Sequence, residues 1–331
     1  MMALRSGIYC GQAFDSPMGL IGHGPVAFTA KLRQPSPKAS NTTAGPYTAS
    51  MTDSLTIALI RDVFYSDEGP DRLRQRLQEA KKAGAALAVL PELAMLPWVP
   101  ATKTARDEDA EPAEGPRHQL QSAIAAEIGI GLLGGAIVHD EQGRRFNTAL
   151  LFGPDGSFLH GYRKIHIPDE PGFWEADHYQ ADNTIPRPVS AFGLNLGFQI
   201  CSDNNRPFGT HILGAQGADA VLVPRSTETA TYVKWRPIFQ ANALTSGCWI
   251  LSVNRPGPEE GVAIGGPSIA VAPDGTVVLE TEDAIGMVTI DRSSVQQARA
   301  EYPGYLAFPS DLYARAWGTV PPRAAHDPIS N

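Results

Sequence analysis

The chain has 331 residues, 43% hydrophobic and 19% charged, with a formal net charge of −8. That composition builds a sizeable globular core and gives no basic surface for nucleic acid or an anionic membrane. No apolar run reaches the roughly 18 to 20 residues of a membrane span. Three cysteines (Cys10, Cys201, Cys248) without a CxxC spacing argue against a disulfide framework or a zinc site. A reduced, cytoplasmic compartment follows as the expectation.

Residues 1–52 differ from the rest. They hold one acid, Asp15, against four bases, Arg5, Lys31, Arg33 and Lys38, and show no sustained periodicity. Three readings stay open: an acid-poor organelle transit segment, a disordered tail, or an extended start ahead of Met51. Residues 53–300 are taken as one globular domain and 301–331 as a C-terminal arm.

From Leu55 onward strands and helices alternate. Leu55–Ile60 is expected as a strand. Leu73, Leu77 and Ala80 mark a helix over 71–82, with Asp71 as its N-cap after Pro70. Ala85–Leu90 is a buried strand stopped by Pro91. A helix over 117–128 precedes a glycine-spaced strand over 130–138. Phe146–Phe152 and Phe158–Arg163 form a hairpin round Pro154-Asp155-Gly156. Further strands are expected at 194–200, 220–223 and 248–253, with helices at 208–216 and 235–246. A second hairpin pairs 268–272 with 276–279. The tail after Tyr302, rich in Pro and aromatics, reads as extended. This alternation predicts an α/β fold of layered sheets covered by helices.

Three segments each place a chemically able side chain at or just past the end of an apolar run: Glu92 in Leu90-Pro91-Glu92-Leu93, Lys164 in Gly161-Tyr162-Arg163-Lys164, and Cys201 in Gly197-Phe198-Gln199-Ile200-Cys201. A carboxylate, an ammonium and a thiol are the parts of covalent carbon–nitrogen hydrolysis. A free thiol is only a few per cent ionised at neutral pH, so Cys201 needs Glu92 as base and Lys164 as a positive neighbour. The N–H of Ser202 is a second donor for an oxyanion. Each residue also has a plainer reading: a small buried hydrophobe, a solvated turn acid, an exposed lysine. The combination is more specific than any member. The histidines show no HExxH spacing, and no metal or other cofactor is expected.

These segments resemble the three signature motifs of the nitrilase, or carbon–nitrogen hydrolase, superfamily. Phe146–Phe152 resembles the family's central hairpin strand. The stretch from Pro168 to Glu175 is similar to the loop after the lysine in N-carbamoylputrescine amidases. The resemblance covers roughly residues 55 to 290. It implies a four-layer α-β-β-α sandwich and a homodimer or higher homo-oligomer built face to face. It also implies a second glutamate beside the nucleophile, for which Glu175 is the better match and Glu170 the competitor.

The chain departs from the pattern in places. Nitrilases usually read Cys-Trp-Glu where this chain has Cys201-Ser202-Asp203, which disfavours nitriles. Asp203 is expected to brace its loop. Asn204 and Asn205 stand where some carbamoyl-cleaving relatives carry an Arg pair, leaving Arg206 as the nearest cation for a substrate carboxylate. Ser202, Asn205, Arg206 and Thr227 are the candidate substrate-binding residues, and Glu228 is either an amine-recognising acid or an ordinary surface one. Trp98 and Trp174 line the pocket or pack at a dimer seam. The expected activity is hydrolysis of a small linear amide or N-carbamoyl amine. The alternatives are a nitrilase and a catalytically silent binding member of the family.

Overall fold

In the strand Ser54–Ile60, Leu55, Ile57 and Leu59 fall on one face and Ala58 and Ile60 on the other, and all five are buried. A strand apolar on both faces must be covered on both. The computed structural model, which describes residues 53–321, shows how. In chain order the elements are β1 (Ser54–Ile60), α1 (Gly69–Lys82), β2 (Leu87–Val89), β3 (Ala110–Pro112), α2 (Pro116–Ile128), β4 (Gly131–His139), β5 (Arg145–Phe152), β6 (Phe158–Arg163), β7 (Val189–Ala191) and β8 (Leu194–Phe198). They continue with α3 (Pro207–Ala215), β9 (Ala220–Arg225), α4 (Tyr232–Ser246), β10 (Trp249–Asn254), β11 (Ser268–Val271), β12 (Val277–Thr281), β13 (Ile285–Asp291), α5 (Arg292–Ala300) and α6 (Ser310–Trp317).

Two mixed sheets result. One runs β13-β1-β2-β4-β5-β6, with β3 beside β4; the other runs β12-β11-β10-β9-β8-β7. Leu55, Ile57, Leu59, Leu87 and Val89 of the first sheet join Leu196, Phe198, Leu222 and Ile250 of the second in one apolar cluster. The opposite face of the first sheet packs Ala58, Ile60, Ala88 and Leu132 against Leu73 and Leu77 of α1 and Ile124 and Ile128 of α2. Trp235, Phe239 and Ala243 of α4 cover the second sheet, with α3 beside α4. The layers are therefore α-β-β-α, as expected. Each fully buried Leu or Ile adds roughly 1.5–3 kcal/mol, so the sandwich holds its parts at fixed depth.

The strands β1, β2 and β4 run parallel, as do β8, β9 and β10. Their C-terminal ends are where an open α/β sheet offers a crevice. Within β4 a glycine lets α2 approach closely: a Cβ on Gly134 would lie 1.8 Å from Gln121 Oε1, which accepts instead from Gly135 N.

Several boundaries differ from the sequence reading. Helix α1 starts at Gly69, so Asp71 lies inside the first turn rather than at the N-cap. Pro70 is tolerated there because first-turn N–H groups have no helical acceptor. Helix α4 starts three residues early, at Tyr232, and runs through Pro237. Strand β13, in which Gly286, Val288 and Ile290 alternate, is an addition to the expected strands and pairs along all of β1. The tail is not wholly extended, since Ser310–Trp317 is helical. Residues 1–52 and 322–331 lie outside the described residues, and with them Cys10 and the three readings of the N-terminal segment. Among the described residues no helix is long and apolar enough to cross a membrane.

Candidate active site

Glu92 sits in the turn leaving β2. Leu90 N donates to Leu133 O, and Pro91 then ends the strand. Leu93 takes φ 50°, a left-handed conformation that a bulky residue adopts only when its surroundings impose it. Arg255, just past β10 and fully buried, imposes it: the guanidinium donates to Glu92 O and Leu93 O at 3.0 Å and to Leu96 O at 2.8 Å. Glu259 neutralises that guanidinium at 2.5 Å.

Lys164 follows β6, with its N–H donating to Asn147 O. Its side chain is fully buried, and Nζ lies 2.8 Å from Glu92 Oε1 and 2.5 Å from Glu175 Oε2. Burial draws the Lys164 ammonium down, but the Glu175 and Glu92 carboxylates more than reverse this and hold it above its ordinary value. Glu175 opens a short 3₁₀ turn, and its Oε2 also accepts from Tyr179 Oη at 2.5 Å. Burial pushes the Glu175 carboxyl up to about 7, against the pull of Lys164.

Cys201 ends the run through β8 and takes φ 49°. The thiol is buried there and feels the charges of Glu92, Lys164 and Glu175. Sγ contacts Ser226 O at 3.7 Å. Burial, then the Glu92 carboxylate, pushes the thiol well above its ordinary value, with Lys164 opposing. A thiol held up in this way needs a base to become a nucleophile. Glu92 Oε2 and Glu175 Oε1 are buried without a protein hydrogen-bond partner. In Glu92 the unpaired oxygen is free to take a proton.

Asp203 ties the lysine and cysteine segments together. Its Oδ1 accepts from Ile165 N at 3.1 Å and His166 N at 2.8 Å, and shares a 2.9 Å hydrogen bond with His166 Nδ1. Its Oδ2 accepts from Tyr162 Oη at 2.8 Å and Ile200 N at 3.1 Å. It braces the loop, as its place in the sequence suggested.

The geometry thus brings Glu92, Lys164, Glu175 and Cys201 into one buried cluster. Glu170 is exposed, so Glu175 is the acid beside the lysine. Ser202 turns its hydroxyl to His166 O at 2.5 Å. Asn205 and Arg206 are exposed beyond the Cys201 turn, while Thr227 is buried and accepts from Arg225 Nη1 at 2.6 Å. Glu228 is half-buried. Trp98 is buried, donates Nε1 to Gly172 O and packs edge-on to Phe173; Trp174 is half-buried under Lys103 Nζ, 3.9 Å from its ring. Cys248, the competing thiol, is sealed at the start of β10, where burial pushes it up to about 12.

Four residues of the cluster were given no role of their own by the sequence reading. Asn147 Nδ2 donates to Glu92 Oε1 at 2.8 Å and to Tyr179 Oη at 3.3 Å. A lone Asn inside the apolar strand Phe146–Phe152 was the available signal. Arg225 and Arg255 end or follow apolar strands, the same signal that marked Glu92. Tyr179 left none, because it is held by a loop of irregular spacing.

A carbon–nitrogen hydrolase family model matches residues 65–300. The omega-amidase of Homo sapiens is 28% identical over 250 residues, covering 72% of this chain and 88% of that protein. A deaminated glutathione amidase of Synechocystis is 28% identical over 254 residues, covering 70% and 91%. Among solved structures, a carbon–nitrogen hydrolase from Helicobacter pylori shares the fold with a TM-score of 0.74 at 21% identity, covering 80% of this chain and 99% of that one. A mutant amidase from Nesterenkonia sp., in complex with butyramide, matches with a TM-score of 0.64 at 22% identity, covering 80% and 97%.

Proposed function

The chain belongs to the carbon–nitrogen hydrolase family, and on that premise we propose that it hydrolyses a small linear amide through a thioester on Cys201. N-carbamoyl amines are included, because the Pro168–Glu175 loop resembles that of carbamoyl-cleaving relatives. The observation that carries the reading is the buried set itself. Lys164 bridges two carboxylates, and Glu92 keeps one oxygen unpaired beside a thiol held in a strained turn. Relatives named as amidases support an amide over a nitrile.

The steps follow from these positions. Glu92 Oε2 takes the thiol proton as Sγ attacks the amide carbon. Lys164 Nζ and the Ser202 N–H receive the charge that develops on the carbonyl oxygen. Collapse breaks the carbon–nitrogen bond, and Glu92 returns the proton to the departing ammonia or amine. Water, losing a proton to Glu92, then cleaves the thioester and frees the acid and the thiol. Glu175 keeps Lys164 charged and aimed.

Ammonium and amine release over matched amides, N-carbamoyl amines and nitriles tests the reading. Amides or N-carbamoyl amines should turn over at least about tenfold faster than nitriles, roughly 1.4 kcal/mol in barrier. Intact mass should show an acyl adduct on Cys201, and Cys201→Ala should abolish turnover. Equal or faster nitrile hydrolysis would place the chain on the nitrilase branch. No turnover of any class, with the fold intact, would make it a binding member.

A further inference from the structure

Arg225, at the end of β9, is fully buried, and among the described residues no carboxylate pairs with it. Its guanidinium donates only to neutral groups: Ser252 Oγ at 2.9 Å, Thr227 Oγ1 at 2.6 Å and Pro267 O. The rings of Tyr232 and Phe239 flank it, each 5.6 Å from Cζ. A buried cation without an anionic partner is costly, and the strand end would be satisfied more simply by a neutral residue. Something nearby must offset that cost.

The strand register shows what. Strands β8 and β9 run parallel with Leu196 beside Ala220, Gly197 beside Val221 and Phe198 beside Leu222. Gln199 N extends the ladder to Leu222 O at 3.1 Å. Carried onward, the same offset sets Arg225 at the level of Cys201, and the thiol indeed contacts the carbonyl of the next residue, Ser226.

The charges around Cys201 then balance. Glu92 and Glu175 are two potential anions, and Lys164 alone is shared between them. A thiolate or an oxyanion adds a further negative charge to that pocket. Arg225 is a second fixed cation in the neighbourhood of the thiol, and, being inaccessible, it cannot be displaced by solvent.

We infer that Arg225 is a positioning residue for Cys201: fully buried at the level of the nucleophile, it stabilises the thiolate and the anionic intermediates formed from it. The inference rests on Cys201 being the nucleophile. Burial draws the Arg225 guanidinium down to about 10, with Cys201 and Tyr232 pulling upward and Arg61 downward. On the thiol itself, Glu92 and Glu175 push upward and Lys164 draws downward.

The test is the pH profile of Cys201 alkylation by iodoacetamide, read by peptide mass spectrometry on folded protein. Removing a cation disfavours the thiolate, so Arg225→Gln should raise the midpoint by about one unit. Arg225→Lys, which keeps the charge and loses the fork of hydrogen bonds, should leave it within a few tenths of a unit. Equal midpoints in wild type and Arg225→Gln would overturn the inference. So would a Gln variant with unchanged midpoint whose only defect is a raised KM for carboxylate-bearing substrates. Should the Gln variant not fold, Arg225→Met, which removes the charge and keeps an apolar stem against Tyr232 and Phe239, is read in the same way, and a midpoint equal to wild type overturns the inference. Failure of the parent reading looks different, since Cys201→Ala would then keep its turnover.

Discussion

Asn147 donates its side-chain amide to Glu92 Oε1 at 2.8 Å. The same oxygen accepts from Lys164 Nζ at 2.8 Å, while Oε2 has no protein partner. One end of the Glu92 carboxylate is thus held, and the other is left to move a proton.

That division predicts graded losses. Glu92→Gln removes the base and should lower kcat by about 10²–10⁴-fold. Asn147→Leu leaves the base but frees its held end, and should lower kcat by roughly tenfold with little change in KM, the mark of an interaction that matters in the transition state. Steady-state kinetics on the best amide would check both. Wild-type kcat in Asn147→Leu would show that Lys164 alone orients the carboxylate.

Glu175 predicts a pH dependence of stability. Burial raises its carboxyl from the ordinary 4.5 to about 7. The folded state therefore holds a proton that the unfolded chain has already released between those values. The resulting contribution is fully present below about pH 4.5 and is lost as pH rises through about 7. Wild type should lose stability relative to Glu175→Gln across this window, measured by urea melts at pH 5 and pH 7.5. A difference that does not change with pH would contradict a raised carboxyl at this position.

Arg255 anchors the Glu92 turn through three carbonyls and is itself neutralised by Glu259. Arg255→Met leaves the half-buried Glu259 and the three carbonyls of the Glu92 turn without their fully buried partner and should cost about 3–5 kcal/mol. The double variant with Glu259→Gln should recover part of the loss, because the unpaired charge is gone. Chemical denaturation of all four forms measures the coupling. Strictly additive losses would mean that the two side chains act independently.

Asp203 joins the exit of β6 to the Cys201 turn. Asp203→Ala should therefore lower both Tm and kcat, the latter by at least about tenfold, by letting Lys164 and Cys201 drift apart. Asp203→Asn keeps one acceptor oxygen and should fall between the two. An Ala variant that loses stability but keeps full kcat would confine Asp203 to a structural role.

The sequence by itself determined layered sheets covered by helices and set Glu92, Lys164 and Cys201 at the ends of apolar runs, while the family resemblance supplied the α-β-β-α order and favoured Glu175 over Glu170. The layering and the strand-end placement follow from local physics. Strands apolar on both faces, such as β1, demand cover on both, and a charged or thiol side chain directly after such a run must sit at the crevice where the strands end. It also suggested Asp203, beside the nucleophile, as a brace of its loop, and the structure supplied the partners that make it one.

What only the tertiary structure decided are relations across long separations. Glu170 and Glu175 both follow Lys164 closely, yet only the packing of the loop buries Glu175 against the ammonium and leaves Glu170 in solvent. Asn147 and Tyr179 look like ordinary strand and loop residues until folding sets them on Glu92 and Glu175. Arg225 and Arg255 carry no sign of which carbonyls, rings or charges will meet their guanidinium groups. Local patterning fixes which way a side chain points from its own strand, but the partner it meets depends on how two sheets are stacked, and that is set by the whole core at once.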